Sequence, residues 1–248
     1  AQNTKMRVIA NNLANVNTTG FKKDRADFET LAYQQIVAAG ANSDSQNKFA
    51  TGLNLGSGVS LQGTSKINTQ GTLQETGNAL DMAIEGSGYF QVQQADGSTA
   101  YTRAGNFSVT AEGTVVTSDG LPLIPQITVP QGATSVTVGN DGTVSATLQG
   151  ESEPTQLGQI ELASFMNPAG LQSIGGNLLV ETAASGTPQV GTAGLEGRGL
   201  IRSGNLETSN VNIVEELVDM IETQRAYEVN SKMIKATDEM LQYANQNM

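Results

Sequence analysis

The chain has 248 residues, with 24 acidic against 13 basic side chains and a net charge of −11 at pH 7, so it has no general attraction for nucleic acid or anionic lipid. Cys and His are both absent, which excludes a disulfide framework, Cys nucleophiles, His general bases and zinc sites of the Cys/His kind. With 28 Gly, 38% hydrophobic and 4% aromatic residues, the composition is turn-rich and leans towards β structure, with slim material for one thick core. No run approaches the ~20 apolar residues that span a bilayer, and no cleavable signal peptide is read in the sequence.

In chain order, the first element runs through VIANNLANVNTTGFKK, Val8 to Lys23. Met6, Ile9, Leu13 and Val16 recur at heptad spacing, which predicts a short amphipathic helix with a stop signal at Gly20. Asn11, Asn12, Asn15 and Asn17 sit awkwardly there, because asparagine competes for backbone hydrogen bonds. A helix this short is marginal alone, so it needs a partner, either its own domain or another segment. Lys22, Lys23 and Arg25 interleave with Asp24, Asp27 and Glu29, which reads as a solvated mixed-charge face. Residues 1–30 are taken as helix and turn, and 31–72, rich in Gly, Ser and Asn, as an extended connecting leg.

From 73 to 182 the pattern alternates. Asp96-Gly97, Glu112-Gly113, Asp119-Gly120 and Asn140-Asp141-Gly142 separate β-rich runs, so this stretch is read as a compact antiparallel β domain. The G-x-G pairs in GSGYF and LGSGVS lack both the third Gly and the Gly-Lys-Ser/Thr of nucleotide loops, and read as turns. Residues 183–210 return to Gly-rich leg composition. The segment 211–248 is the longest periodic stretch. Val214, Leu217, Val218 and Ile221 make a tight stripe that Val229, Met233, Ile234, Met240 and Leu241 continue, with Gln224 and Arg225 interrupting it. Asn212 and Glu215 have capping-box spacing, and Glu215, Glu216 and Asp219 suit a helix N-terminus better than a cation site. Residues 1–30 carry five basic and three acidic side chains, and 207–248 three basic and eight acidic; the two ends are electrostatically complementary. The expected fold is therefore mixed α and β. Discontinuous N- and C-terminal helices form a coiled-coil-like pair, two extended legs connect, and an antiparallel β domain lies in the centre. No spacing nominates a catalytic, cofactor or metal residue, and the chain is not expected to be an enzyme.

At this point the motifs become recognisable. IANNLANVNTTGFKKDRADFE resembles the N-terminal signature of bacterial flagellar rod and hook proteins, and LETSNVNIVEELVDMIETQRAYEVNSKMIKATDEML their C-terminal signature. AIEGSGYFQV, DGSTAYTRAGNF and FMNPAGLQSIGGNLLVET extend the likeness over essentially the whole chain. The resemblance implies a structural basal-body subunit that stacks helically into a hollow drive shaft, with the terminal helices as inner tube and the β domain as outer layer. It would leave the cell through the flagellar type III export apparatus without a cleaved signal, and lie between periplasm and outer membrane. The implied partners are many copies of itself, neighbouring proximal rod and hook subunits, outer ring bushing proteins and the export apparatus, with no cofactor, nucleic acid or membrane insertion. The implied assembly interface is the two stripes: Met6, Ile9, Leu13 and Val16 with Val214, Leu217, Val218, Ile221, Val229, Met233, Ile234, Met240 and Leu241. The stretch YQQIVAAGANSDSQNKFATGL resembles an insertion that rod members carry and hook members lack, about residues 33–50. Tyr33, Gln34, Gln35, Ile36, Asn42, Lys48 and Phe49 stand for it. The asparagines would then sit in a helix wedged among neighbours beside a wet channel, where amides can donate and accept. Another axial subunit remains open, as does a secreted β-rich binding module with a helical stalk.

Overall fold

The computed structural model describes residues 1–38, 50–150 and 153–246. It has a helix near each end and antiparallel strands between them. The chain divides into two compact units: 1–11 with 24–65 and 214–248, and 12–23 with 66–213. The first unit takes in most of the N-terminal helix, most of the outgoing leg and the C-terminal helix, the second the β body and the returning leg, and both legs contain more structure than their composition suggests.

Helix α1 (Gln2–Ala14) begins in the first unit and stops at Ala14 in the second, so Val16 lies beyond it and is not on a helical face. Asn15 and Asn17 also fall outside the helix. The Asn15 N–H donates to the Asn12 carbonyl at 3.2 Å, and Asn15 Oδ1 accepts from Thr18 Oγ at 3.2 Å. Asn15 thus serves a turn, where its side chain is at home, while Asn12 is buried. Gly20 is not the helix stop. It sits at φ +69°, and a side-chain carbon there would press on the backbone of Arg103 and Ala104, so it marks a close approach of two chain segments.

The outgoing leg forms two paired ribbons. Strand β1 (Asp24–Thr30) pairs with β4 (Val59–Lys66), and β2 (Tyr33–Val37) pairs antiparallel with β3 (Leu53–Gly56), Tyr33 opposite Gly56. Composition hides this because the strands are short and largely exposed, without a buried face to impose alternation. Of the residues singled out in the insertion, Asn42, Lys48 and Phe49 lie outside the described residues. Helix α2 (Ile213–Gln246) has 34 residues and is about 50 Å long at 1.5 Å per residue.

The second unit holds the remaining strands in chain order: β5 (Leu73–Glu75), β6 (Met82–Glu85), β7 (Tyr89–Gln93), β8 (Thr99–Thr102), β9 (Phe107–Val109), β10 (Val115–Thr117), β11 (Leu123–Ile124), β12 (Ala133–Val138), β13 (Thr143–Leu148), β14 (Thr155–Gln159), β15 (Glu161–Ser164), β16 (Gln172–Gly175), β17 (Leu178–Val180), β18 (Gln189–Thr192), β19 (Leu200–Ser203) and β20 (Asn205–Glu207). Among the described residues the largest sheet runs β16-β17-β8-β7-β15-β18 with β11 on β7, and a second sheet is β12-β13-β14. Strand β7 shows why the sheet has two apolar faces. Its side chains alternate, sending Phe90 and Val92 into the main core with Met82, Ile84, Leu162 and Ile201, and Tyr89 into a smaller cluster with Tyr101 and Phe165. Tyr101 and Phe165 meet edge to face at 4.8 Å. The Asp-Gly and Asn-Asp-Gly turns fall where expected: Asp96-Gly97 between β7 and β8, and Asn140-Asp141-Gly142 between β12 and β13.

The returning stretch 183–210 is not a detached leg. It supplies β18 on β15, β19 on β6 and β20 on β5, and it places Ala193 and Ile201 in the main core. Its Gly-rich composition allows tight turns between short strands, which a linker composition resembles.

Candidate assembly interface

Helix α2 has two faces of opposite character. Glu216 and Thr223 are each 4% exposed, and Asp219, Met220 and Ala226 on the same helical side are half-buried. Apart from Met220, this inward face is polar or small. The apolar residues of the stripe read from the sequence look away from it in the first turns, where Val214 is 69% and Ile221 49% exposed and Leu217 and Val218 are exposed too. Val229, Met233, Ile234, Met240 and Leu241 are also exposed, but Ile234 and Leu241 lie about five turns on from Glu216 and Thr223 and share their helical side. The chain does not close that stripe onto α1. In α1 the corresponding residues are better covered, with Ile9 buried and Met6 and Leu13 half-buried.

The two helices are linked instead by charge and by a groove. Lys5 Nζ lies 3.5 Å from Asp219 Oδ1, an exposed pair of modest worth that joins the basic and acidic ends. The groove, of about 340 Å³, is lined by Ala1, Gln2 and Lys5, by Phe28 of β1 and Val59 of β4, and by Glu222, Thr223 and Ala226 of α2. The β2–β3 ribbon presents Tyr33, Ile36, Leu53 and Leu55, all half-exposed or more. Gln34 and Gln35 lie in β2, opposite Leu55 and Asn54.

The second unit holds a feature that sequence reading missed. Glu207, at the end of β20, is wholly buried, and Lys22 and Arg103 close on it. Lys22 Nζ donates to Glu207 Oε1 at 2.6 Å and to the Thr69 carbonyl at 2.8 Å. Arg103 Nε stands 3.0 Å from Glu207 Oε2, an ion pair without an aligned hydrogen bond. The Arg103 guanidinium also donates to the carbonyls of Gly86 and Gly88. A cavity of about 260 Å³ adjoins the cluster, with Lys22 and Arg103 in its lining. Burial lowers the Lys22 pKa; the hydrogen bond and charge of Glu207 oppose that shift, and Arg103 adds to it. Burial likewise raises the Tyr89 hydroxyl.

The solvated face expected of Lys22 and its neighbours does not hold for Lys22, which is buried. The reading does fit Arg25 and Asp27, an exposed pair at 2.8 Å, with Asp27 also accepting from Ser65 at 2.7 Å. Lys22 differs because the chain dives under β20 after Gly20. Its partner is 185 residues away, and no local spacing signals it.

Family models match in three places: one described as "Flagella basal body rod protein" over residues 1–22, one as "Flagellar hook protein FlgE/F/G D1 domain" over 83–146 and one as "Flagellar basal body rod FlgEFG protein C-terminal" over 202–247. The chain is similar to proteins named flagellar basal-body rod protein FlgG in several bacteria. It is 50% identical to that of Buchnera aphidicola subsp. Acyrthosiphon pisum over 99% of this chain and 95% of the relative. The figures for Caulobacter vibrioides are 46%, 99% and 94%, and for Bacillus subtilis 42%, 96% and 91%.

Proposed function

The chain belongs to the flagellar basal-body rod proteins, and we propose from that premise how its surfaces do the work of a rod subunit. It is a structural subunit of the distal rod of the flagellar basal body. Copies stack helically, and the exposed stripe of α2 from Val214 to Leu241 is the contact that drives the stacking. That stripe carries the reading: a row of aliphatic and thioether side chains left in water along a 34-residue helix is unfavourable in an isolated chain and is relieved when another copy covers it. Met6, Ile9 and Leu13 join the same tube wall. The β2–β3 ribbon, a two-stranded piece too small to be stable alone, lies on a neighbouring copy and stiffens the shaft.

In this reading the finished rod carries torque from motor to hook and leaves a channel for exported subunits. Its axial neighbours are proximal rod and hook subunits, and ring proteins surround it between periplasm and outer membrane. The subunit itself arrives through the type III export apparatus without a cleaved signal. Binding and packing suffice for such a role, and no reaction is assigned to the chain. Negative-stain images of the concentrated protein with intact ends test the proposal. Straight hollow tubes are expected; a protein that stays monomeric at high concentration would overturn it.

A further inference from the structure

The buried ion cluster sits at the place where the second unit receives and releases the chain. The segments of that unit end at residues 12, 23, 66 and 213, and the last three ends converge on one set of contacts. Asn210 is their hub. Its side-chain Oδ1 accepts from the Lys23 N–H at 2.8 Å, and its Nδ2 donates to the carbonyls of Ile67 at 2.8 Å and Thr69 at 3.1 Å. The Ile67 N–H donates to the Lys23 carbonyl at 2.9 Å. Glu207 ties the same three segments a second time. It binds Lys22 through Oε1, accepts from the Gly71 N–H at 2.9 Å, and takes the Gly20 N–H on its backbone carbonyl at 2.8 Å. A side-chain carbon on Gly71 would overlap the Thr208 carbonyl oxygen, so the segments touch backbone to backbone there.

We infer that Lys22, Glu207, Arg103 and Asn210 form a clasp that makes the three chain segments around residues 20–23, 67–71 and 207–210 hold or release as one. A hydrogen-bonded amide joins them at one end and a buried carboxylate at the other, so neither contact can be lost without loosening the other's partners. A pull on any one segment is thereby shared by all three. The clasp stands on these contacts alone; its use as a joint that keeps rod subunits from unravelling under torque rests on the rod reading.

Amide hydrogen exchange on the full chain tests the clasp separately from assembly. Glu207→Gln leaves two buried cations without their anion, a loss that strongly destabilises a buried site. The amides of Gly20, Lys23, Ile67 and Gly71 are expected to exchange together about a hundredfold faster, while those of β7 and β8 keep their protection. Asn210→Ala is the second arm. Its side-chain bonds reach neither the Gly20 nor the Gly71 amide, yet both should quicken along with Lys23 and Ile67. Acceleration confined to amides that touch the altered side chain would overturn the inference, as would a uniform rise that includes β7 and β8. Tube formation is scored independently: a failed clasp with normal tubes leaves the rod reading standing, and an intact clasp in a chain that forms no tubes leaves the clasp standing.

Discussion

Ile201 is wholly buried among the main-core side chains, and its truncation to alanine is expected to cost about 2–5 kcal/mol, the usual range for a buried aliphatic residue. Leu195, earlier in the same Gly-rich stretch, is 59% exposed, and its truncation should stay within about 0.5 kcal/mol. Urea unfolding of the two variants checks the contrast; equal small losses would detach 183–210 from the β body. The turn carboxylates make a second prediction. Asp96 accepts from the hydroxyl and N–H of Ser98, and Asp141 from the N–H and hydroxyl of Thr143, which holds both below the ordinary 3.8. A depressed folded pKa contributes stability that is present above the unfolded value and lost as pH falls through the folded one. Replacing both by asparagine should therefore flatten the acid decline in urea midpoint from about pH 5 to about pH 2; an unchanged decline would assign it to other carboxyls. These turns were legible because Asp-Gly and Asn-Asp-Gly act locally on their own backbone. Glu207 was not, since a buried acid and a surface acid look alike until the fold brings Lys22 and Arg103 to it.

Helix α2 could be read from the sequence as an element but not as a contact. Periodicity gives the stripe and its length. It does not say which side meets the rest of the chain, and here Glu216, Thr223 and Ala226 do so while the apolar side stays open. A polar or small face can dock closely through hydrogen bonds and short side chains, which hydrophobic patterning does not register. The β2–β3 and β1–β4 ribbons were missed for a related reason: their strands have no inward face, so neither shows alternation. Ile221→Asp separates the helix's own stability from its assembly role. At a half-exposed position the charge should change monomer stability by about 0.5 kcal/mol or less. Within a packed tube wall the same charge lacks water and should abolish polymerisation. Denaturation and sedimentation of one preparation read both effects; normal tubes from this variant would remove Ile221 from the interface.

For the molecule as a whole, the proposed assembly makes the β2–β3 ribbon responsible for the stiffness of the rod. Deleting residues 33–50 removes β2 and leaves β3 without the partner that pairs Tyr33 with Gly56. Tubes should still form through α2, but curved or pliable, because a packed contact that resists continuous sliding is lost. Electron microscopy of the deletion decides; straight tubes of ordinary stiffness would take the ribbon out of the account. The open stripe of α2 also sets how the subunit answers to temperature. A junction made by hiding aliphatic and thioether groups is driven by entropy near room temperature and carries a negative heat-capacity change, so chilling weakens it. Tubes grown warm should shed subunits on ice and regrow when rewarmed, and turbidity through one such cycle will follow it. A junction held by ion pairs would dissolve in salt and ignore the cold.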